Sequence, residues 1–558
     1  MSFVVSKIPY RWRILFLGFF IAFILAQCWI IATKPVDQRQ IPSSSQQPQP
    51  NNNDVDDYTS NPIYGFDNFE SRLPLIQRQE FTHLPDPHRQ AQVKKSFLHA
   101  WNGYMKYAKG HDELMPVSLK HKDPFGGWGA TLVDGLSTLL VMELYEEFEE
   151  TLPELEKINF LVDEKVSVFE STIRYLGGLL SAYELTNRKY PILLQKADEL
   201  GQALLPAFDY TLNGLPPHEW NPVKNAAPGN NTLIAEIGTV QLEFLTLALH
   251  TKKKVYAEKA QIITDFIDSA GYEHGMYLPG LYPSGLRADK GRFTDATCSF
   301  GAMGDSVYEY FLKEYILTDG SMPQYAQLYT RSIDSMKHHM LRQLPGTDFL
   351  FLPPYDTRTG QAKNAMDHLT CFVPGMLAMG AQILDRPEDM MIAKGLLEMC
   401  VYMYRSSATG LCPETWHATE TEKYNPLTYG RSRDEIDHSR DWWYMDGEFE
   451  PPLRQQDSSD STWVNSVFQL SATLAPPQLP RPNGLAAGDR SYKLRPETIE
   501  SIYILYRITG DPKYQEYGWE IFQSLEKYCK TEAAYSSIFN VEDIDTRKMD
   551  SLFTLQPT

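Results

Sequence analysis

The sequence predicts an all-α fold arranged as a helical toroid, and three observations carry that reading. Long amphipathic segments alternate with Gly- and Pro-rich connections from about residue 93 onward. Strand signals are confined to short stretches such as 346–353. Compact polar motifs, rather than plain caps, stand at the beginnings of successive helices, so acidic residues would gather where the inner helix ends converge.

Taken in order, the chain opens with Lys7, Arg11 and Arg13, followed by an apolar run over 14–32. That length is close to the ~20 residues needed to cross a bilayer. The basic flank predicts a cytoplasmic tail at 1–13, an uncleaved type II anchor at 14–32 and a luminal remainder. Residues 33–85, rich in Pro, Gln, Ser, Asn and Asp, predict a disordered stem. The catalytic-sized remainder, 86–558, carries helical periodicity at 93–109, 132–150, 168–187, 233–250, 255–270, 303–316, 325–343, 371–384, 389–406, 497–509 and 513–531. Residues 417–492, polar and marked by the run HSRDWW, break the pattern and read as an insertion. Such an insertion costs little stability in a loop.

The net charge of −19 leaves no basic field for nucleic acid. Aromatic residues make up 12% of the chain, which suits a sugar or apolar ligand and equally a large core. Of six cysteines, Cys28 falls in the anchor, and the remaining five leave at least one thiol unpaired. None has metal-site spacing. Asn230-Asn231-Thr232 forms a glycosylation sequon.

The motifs are GGWGATLVDGLSTL (126–139), FESTIR (169–174), IAEIGTVQLEF (234–244), GAMGDSVYEYF (301–311), MDHLTCFVPG (366–375), GLCPET (410–415) and LRPETIES (494–501). They contribute Asp134, Glu170, Glu236, Asp305, Glu309, Glu414, Glu497 and Glu500. Glu170 opens an otherwise uncharged helical run with Arg174 one turn on. This is the setting of a tuned acid, or of a capping Glu paired with Arg at i, i+4. Many acids beside aromatic residues, with no Ser-His-Asp or Cys-His arrangement, point to glycoside hydrolysis. There one carboxylic acid protonates the leaving oxygen and a second carboxylate activates water.

Together FESTIR-LGGLLSAY, GDS-YEY, MDHL-CF-PG and RPETIES resemble glycoside hydrolase family 47, the class I α1,2-mannosidases of the secretory pathway, from about residue 93 to 553 apart from the insertion. The resemblance implies an (α/α)7 barrel, a bound Ca²⁺ and inverting removal of α1,2-linked mannose from high-mannose N-glycans in the endoplasmic reticulum or Golgi. By position, Glu170 matches the proton donor, with Asp305 a second essential carboxylate that competes for that role. Glu497 matches the base. Glu414, Glu236, Glu309 and Glu500 match acids lining the pocket or holding waters about the metal. Arg174, Arg495 and His368 match sugar-contacting positions, and Cys371 and Cys400 the family disulfide. Asp134 buttresses the first motif.

Three departures follow from the same comparison. Ser137 stands where the family usually has a second Asp. Met303 occupies a position that is Arg in the endoplasmic-reticulum type and apolar in the Golgi type, so a broader, Golgi-like specificity is expected. After KMDSLF the chain reads TLQPT in place of a helix with a Glu-Thr pair and a closing Thr-Glu pair. Thr554 and Thr558 lie outside the matching context, so no metal ligand is assigned. The expectation is a truncated or frame-shifted sequence, or a protein that binds Ca²⁺ weakly. The alternative function is accordingly a catalytically impaired, lectin-like binder of high-mannose glycans.

Overall fold

Helical hairpins with short turns build the molecule. The computed structural model describes residues 71–79, 81, 85–429 and 479–550. The expected tail and anchor, most of the stem, the HSRDWW run and the terminal TLQPT lie outside the described residues. Twelve helices form the frame: α1 Pro87–Tyr107, α2 Ala130–Val141, α3 Gly177–Leu185, α4 Pro191–Leu204, α5 Gln241–Thr251, α6 Lys254–Ser269, α7 Asp305–Leu317, α8 Pro323–His339, α9 Val373–Ile383, α10 Pro387–Arg405, α11 Glu497–Thr509 and α12 Lys513–Tyr528. No described helix is long and apolar enough to cross a membrane.

Short turns make α3–α4, α5–α6, α7–α8, α9–α10 and α11–α12 antiparallel pairs. The local chemistry is plain. Pro opens α4, α8 and α10, where its missing N–H has no partner to lose, and Gly510 closes α11 at φ +71. The first member of each pair packs on the first member of the next, giving an inner succession α2, α3, α5, α7, α9, α11. Inner and outer helices differ in patterning as that arrangement requires. Nine of the eleven residues of α9 are buried, whereas α12 buries only the stripe Tyr514, Tyr517 and Ile521.

Close approach of α2 and α3 depends on Gly178, where a Cβ would sit 2.7 Å from the Val133 carbonyl oxygen. Trp101 of α1 covers Gly135 of α2 in the same way. The outer layer joins end to start through Arg89–Glu516 at 2.7 Å and Ser96–Glu526 at 2.6 Å. Residues 529–550 then run back over α1: a Cβ on Gly103 would meet the Ala533 carbonyl oxygen, and Asp550 accepts the Val117 and Ser118 N–H groups.

Since every inner helix runs the same way, the segments that precede them collect at one end. Short strands stitch those segments together. Val166–Ser167 pairs with Glu219–Trp220, Asn231–Leu233 with Gly285–Arg287, and Ala365–Asp367 with Thr415–Ala418, which in turn pairs with Leu485–Ala487. Sixteen strands of two to four residues occur among the described residues, more than the sequence reading anticipated.

Two boundaries also move. Residues 71–79 of the expected stem lie against the barrel, where Asp319 accepts from Ser71 and Arg72, and the Arg78 N–H bonds the Arg507 carbonyl. The flanks of the expected insertion belong to sheets of the barrel, leaving 430–478 outside the described residues. Cys371 and Cys400 are joined by a disulfide, while Cys298, Cys412 and Cys529 are buried thiols.

Candidate active site

The acidic motifs meet at the end where the inner helices begin, and they form two neighbouring networks. In the first, Ser167 caps a short helix Val168–Glu170, with its Oγ accepting the Glu170 N–H at 3.2 Å. The chain continues into α3 through a π-helical turn, Ser171–Leu176. A turn of this kind rotates side chains off the regular helical register and is frequent at functional sites. Arg174 Nε donates to Glu170 Oε2 at 2.7 Å, and its Nη1 reaches Asp134 at 3.3 Å. Its guanidinium lies 4.6 Å from the Phe125 ring centroid.

Arg174 is buried, whereas the Glu170 side chain keeps 28% of its surface. Burial raises Asp134 to about 7 against the opposing pull of Arg174. Beside this group, His218 Nδ1 contacts Glu236 Oε1 at 2.7 Å, and the other oxygen of Glu236 accepts from Thr232 and the Leu233 N–H. The Glu236 bond raises the His218 pKa, with a smaller contribution from Glu170.

The second network begins with Asp305 and Glu497, the first residues of α7 and α11. Helix N-termini favour anions, yet burial dominates here. Asp305 is pushed up to about 6, with the Ser306 N–H at 2.9 Å opposing and Glu309 adding to the rise. Glu497 is pushed up to about 8 by burial, against Arg495, with Glu500 and Asp305 raising it further. Arg495 and Lys493 both pair with Glu414, the latter at 3.3 Å.

Glu309 and Glu500 share Lys313, at 2.5 and 3.7 Å. Burial opposes the charge on that lysine, but the two carboxylates outweigh it and raise its pKa. Glu243, held by the Tyr310 hydroxyl at 2.8 Å, is raised to about 7 by burial.

The structure therefore brings Asp305, Glu309, Glu414, Arg495, Glu497 and Glu500 into one network. Glu170, Arg174 and Glu236 stand in the adjoining one. No hydrogen bond or ion pair joins Glu170 to Asp305 or Glu497 among the described residues. His368 is fully buried, with Nε2 between Thr498 Oγ1 at 3.1 Å and the Tyr404 hydroxyl at 3.0 Å. Burial, assisted by Arg495, lowers its pKa to about 3, so it is neutral.

Lys313, Glu243 and His218 were missed by sequence reasoning. Lys313 follows Glu309 by four residues on the face that carries Asp305, a signal that was available. Met303 holds a left-handed backbone at φ +73, a costly conformation for a residue with a Cβ, and is half exposed beside Asp305.

A calcium site can be tested on these donors. Both oxygens of Glu497 are buried without a hydrogen-bond partner among the described residues, and Glu500 lies beside it. Hard oxygen donors of this kind fit a hard cation. Lys313 already neutralises part of the charge on Glu309 and Glu500.

Comparison with known proteins follows the same lines. The model of glycosyl hydrolase family 47 matches residues 96–554. The chain is 35% identical over 480 residues to the endoplasmic reticulum mannosyl-oligosaccharide 1,2-alpha-mannosidase of Rattus norvegicus, covering 84% of this chain and 63% of the relative. The Homo sapiens protein of the same name is 35% identical over 479 residues, covering 84% and 59%. The chain thus spans less than two thirds of either relative's length. An alpha-1,2-mannosidase from Trichoderma reesei superposes with a TM-score of 0.69 at 28% identity, covering 85% of this chain and 91% of that one. On the family match and these relatives, the chain belongs to glycosyl hydrolase family 47.

Proposed function

We propose that the protein hydrolyses terminal α1,2-linked mannose from high-mannose N-glycans, with inversion, on an (α/α)7 barrel of which five antiparallel helix pairs and the further helices α1 and α2 lie among the described residues. The observation that carries this reading is the couple of half-buried Asp305 and buried Glu497 at the starts of α7 and α11, set in an acidic floor. Relatives named as 1,2-alpha-mannosidases support the substrate class.

In the proposed reaction, Glu497 takes a proton from water as the water oxygen attacks the anomeric carbon. The bond to the leaving oxygen breaks, and that oxygen takes a proton from a carboxylic acid. Asp305 is assigned that proton, because burial favours its neutral form whereas Glu170 is held in an ion pair by Arg174. Glu170 then orients solvent and sugar from the side. Arg174 and His368, both buried, act as supports for Glu170 and for the α11 start, in place of the sugar contacts expected for them. Arg495 is assigned the sugar contact that the family resemblance implies, and it holds Glu414.

Calcium, when bound against Glu497 and Glu500, would lower the pKa of Glu497 into the range where it is a base at neutral pH. Met303 offers a soft apolar contact where a guanidinium would bind hydroxyls, which supports the broader trimming pattern. The apolar run 14–32 and its basic flank support a type II anchor in the endoplasmic reticulum or Golgi membrane.

The test is a nine-mannose glycan incubated with the full chain at saturating calcium, with products resolved by mass. Loss of several mannoses is expected. Removal of a single middle-branch mannose would contradict the specificity. Binding without turnover would replace the enzyme by the lectin-like reading.

A further inference from the structure

On the outer side of the loop that carries Phe125 lies a cluster that the hydrolysis does not use. The strand Glu113–Met115 runs out and Lys120–Lys122 returns, pairing Leu114 with His121. This hairpin carries His121 and Asp123 back beside His111, which precedes it. The rings of His111 and His121 stack with centroids 3.5 Å apart and planes 14° from parallel. His111 Nδ1 lies 2.9 Å from Asp123 Oδ2, and the other Asp123 oxygen is pinned by the Asp112 N–H at 2.9 Å. One ligand atom from each of the three residues lies within 4.8 Å of the other two.

We propose that His111, His121 and Asp123 bind a borderline-soft divalent cation such as Zn²⁺. The donor set is two imidazoles and one carboxylate, which suits zinc and not calcium. Donors around a tetrahedral zinc stand about 3.3 Å apart, given metal–ligand distances near 2.0–2.2 Å. The His111–Asp123 edge is already that short, so the one rearrangement needed is that the exposed His121 ring turns out of its stack on His111 to aim a nitrogen at the ion. Charge is also in place: Lys122, the neighbouring cation, is drawn off by Glu113 at 2.5 Å, leaving Asp123 to face the imidazoles. The fourth position would go to water. Because Asp123 leads through Pro124 to Phe125, whose ring lies against Arg174, an ion here ties the outer hairpin to the wall behind Glu170.

The experiment uses the full chain, freed of metal, returned to saturating Ca²⁺ and titrated with Zn²⁺ by calorimetry and with Co²⁺ by absorption. One saturable equivalent is expected, with a tetrahedral cobalt spectrum free of a thiolate charge-transfer band, and zinc should raise the melting temperature. His121→Ala should weaken zinc binding by about tenfold or more while melting like the wild type without zinc. Asp123→Asn should also bind more weakly. An unchanged equivalent in His121→Ala, a thiolate band, or no saturable binding by the wild type would each overturn the proposal.

Discussion

The two acidic networks solve the same problem, placing carboxylates where inner helices begin, in opposite ways. Around Glu170 the charge is paired: one buried Arg174 serves Glu170 and Asp134 together, and Glu170 keeps contact with solvent. Around half-buried Asp305 and buried Glu497 the carboxyls have few partners, and desolvation drives both pKa values upward. Pairing fixes geometry and charge; desolvation keeps a proton available. The difference teaches that the reacting couple belongs in the second network, with the first acting as its wall.

If so, the largest effects follow from the second network. Asp305→Asn and Glu497→Gln should each lower kcat by about 10²–10⁴-fold with little loss of glycan binding, as single-turnover assays and titration calorimetry would show. In the first network, Arg174→Met should act on stability. It leaves Asp134 buried beside an unpaired Glu170, so urea denaturation should register a loss of about 3–5 kcal/mol. An equal loss of stability in Glu497→Gln would erase the contrast.

Stability against pH sharpens the comparison further. Asp305, Glu243 and Glu497 have folded pKa values of about 6, 7 and 8, all above those of an unfolded chain. The folded state thus binds more protons than the unfolded state between about pH 4 and 8, and these groups lose stability as pH rises through that window. Glu497→Gln removes one such group. In the absence of calcium its urea midpoint should gain on the wild type progressively from pH 5 to pH 8, and a gain confined to low pH would contradict the burial argument. Calcium removal is expected to move the acidic limb of kcat/KM to higher pH. The smallest effect is Met303→Arg, which should redistribute the mannose isomers released, with a change in kcat/KM of about tenfold or less.

Much of this was legible in the sequence because helix periodicity and N-terminal motifs are local. The order of the pairs, the motif placement and the Glu170–Arg174 bond at i, i+4 all follow from spacing. Strands of two or three residues, such as Val166–Ser167, carry no alternation and were invisible. The π-turn at Ser171–Leu176 has no propensity signature, so the segment reads as one continuous helix. Lys313 has the look of a solvated partner for Glu309; only the packing of α11 against the pocket reveals Glu500 on its other side. Burial of His368 and Arg174 depends on contacts 130 and 40 residues away. Likewise, residues 71–79 match a stem in composition and are held by partners more than 200 residues on.

Chemical rescue tests the assignment of roles most directly. Azide needs no base to attack the anomeric carbon, so Glu497→Ala with intact Asp305 should turn an α1,2-mannose-terminated glycan into β-mannosyl azide. The wild type and Asp305→Ala should yield none. An α-mannosyl azide, or rescue in Asp305→Ala instead, would contradict the assignment of base and acid across α11 and α7.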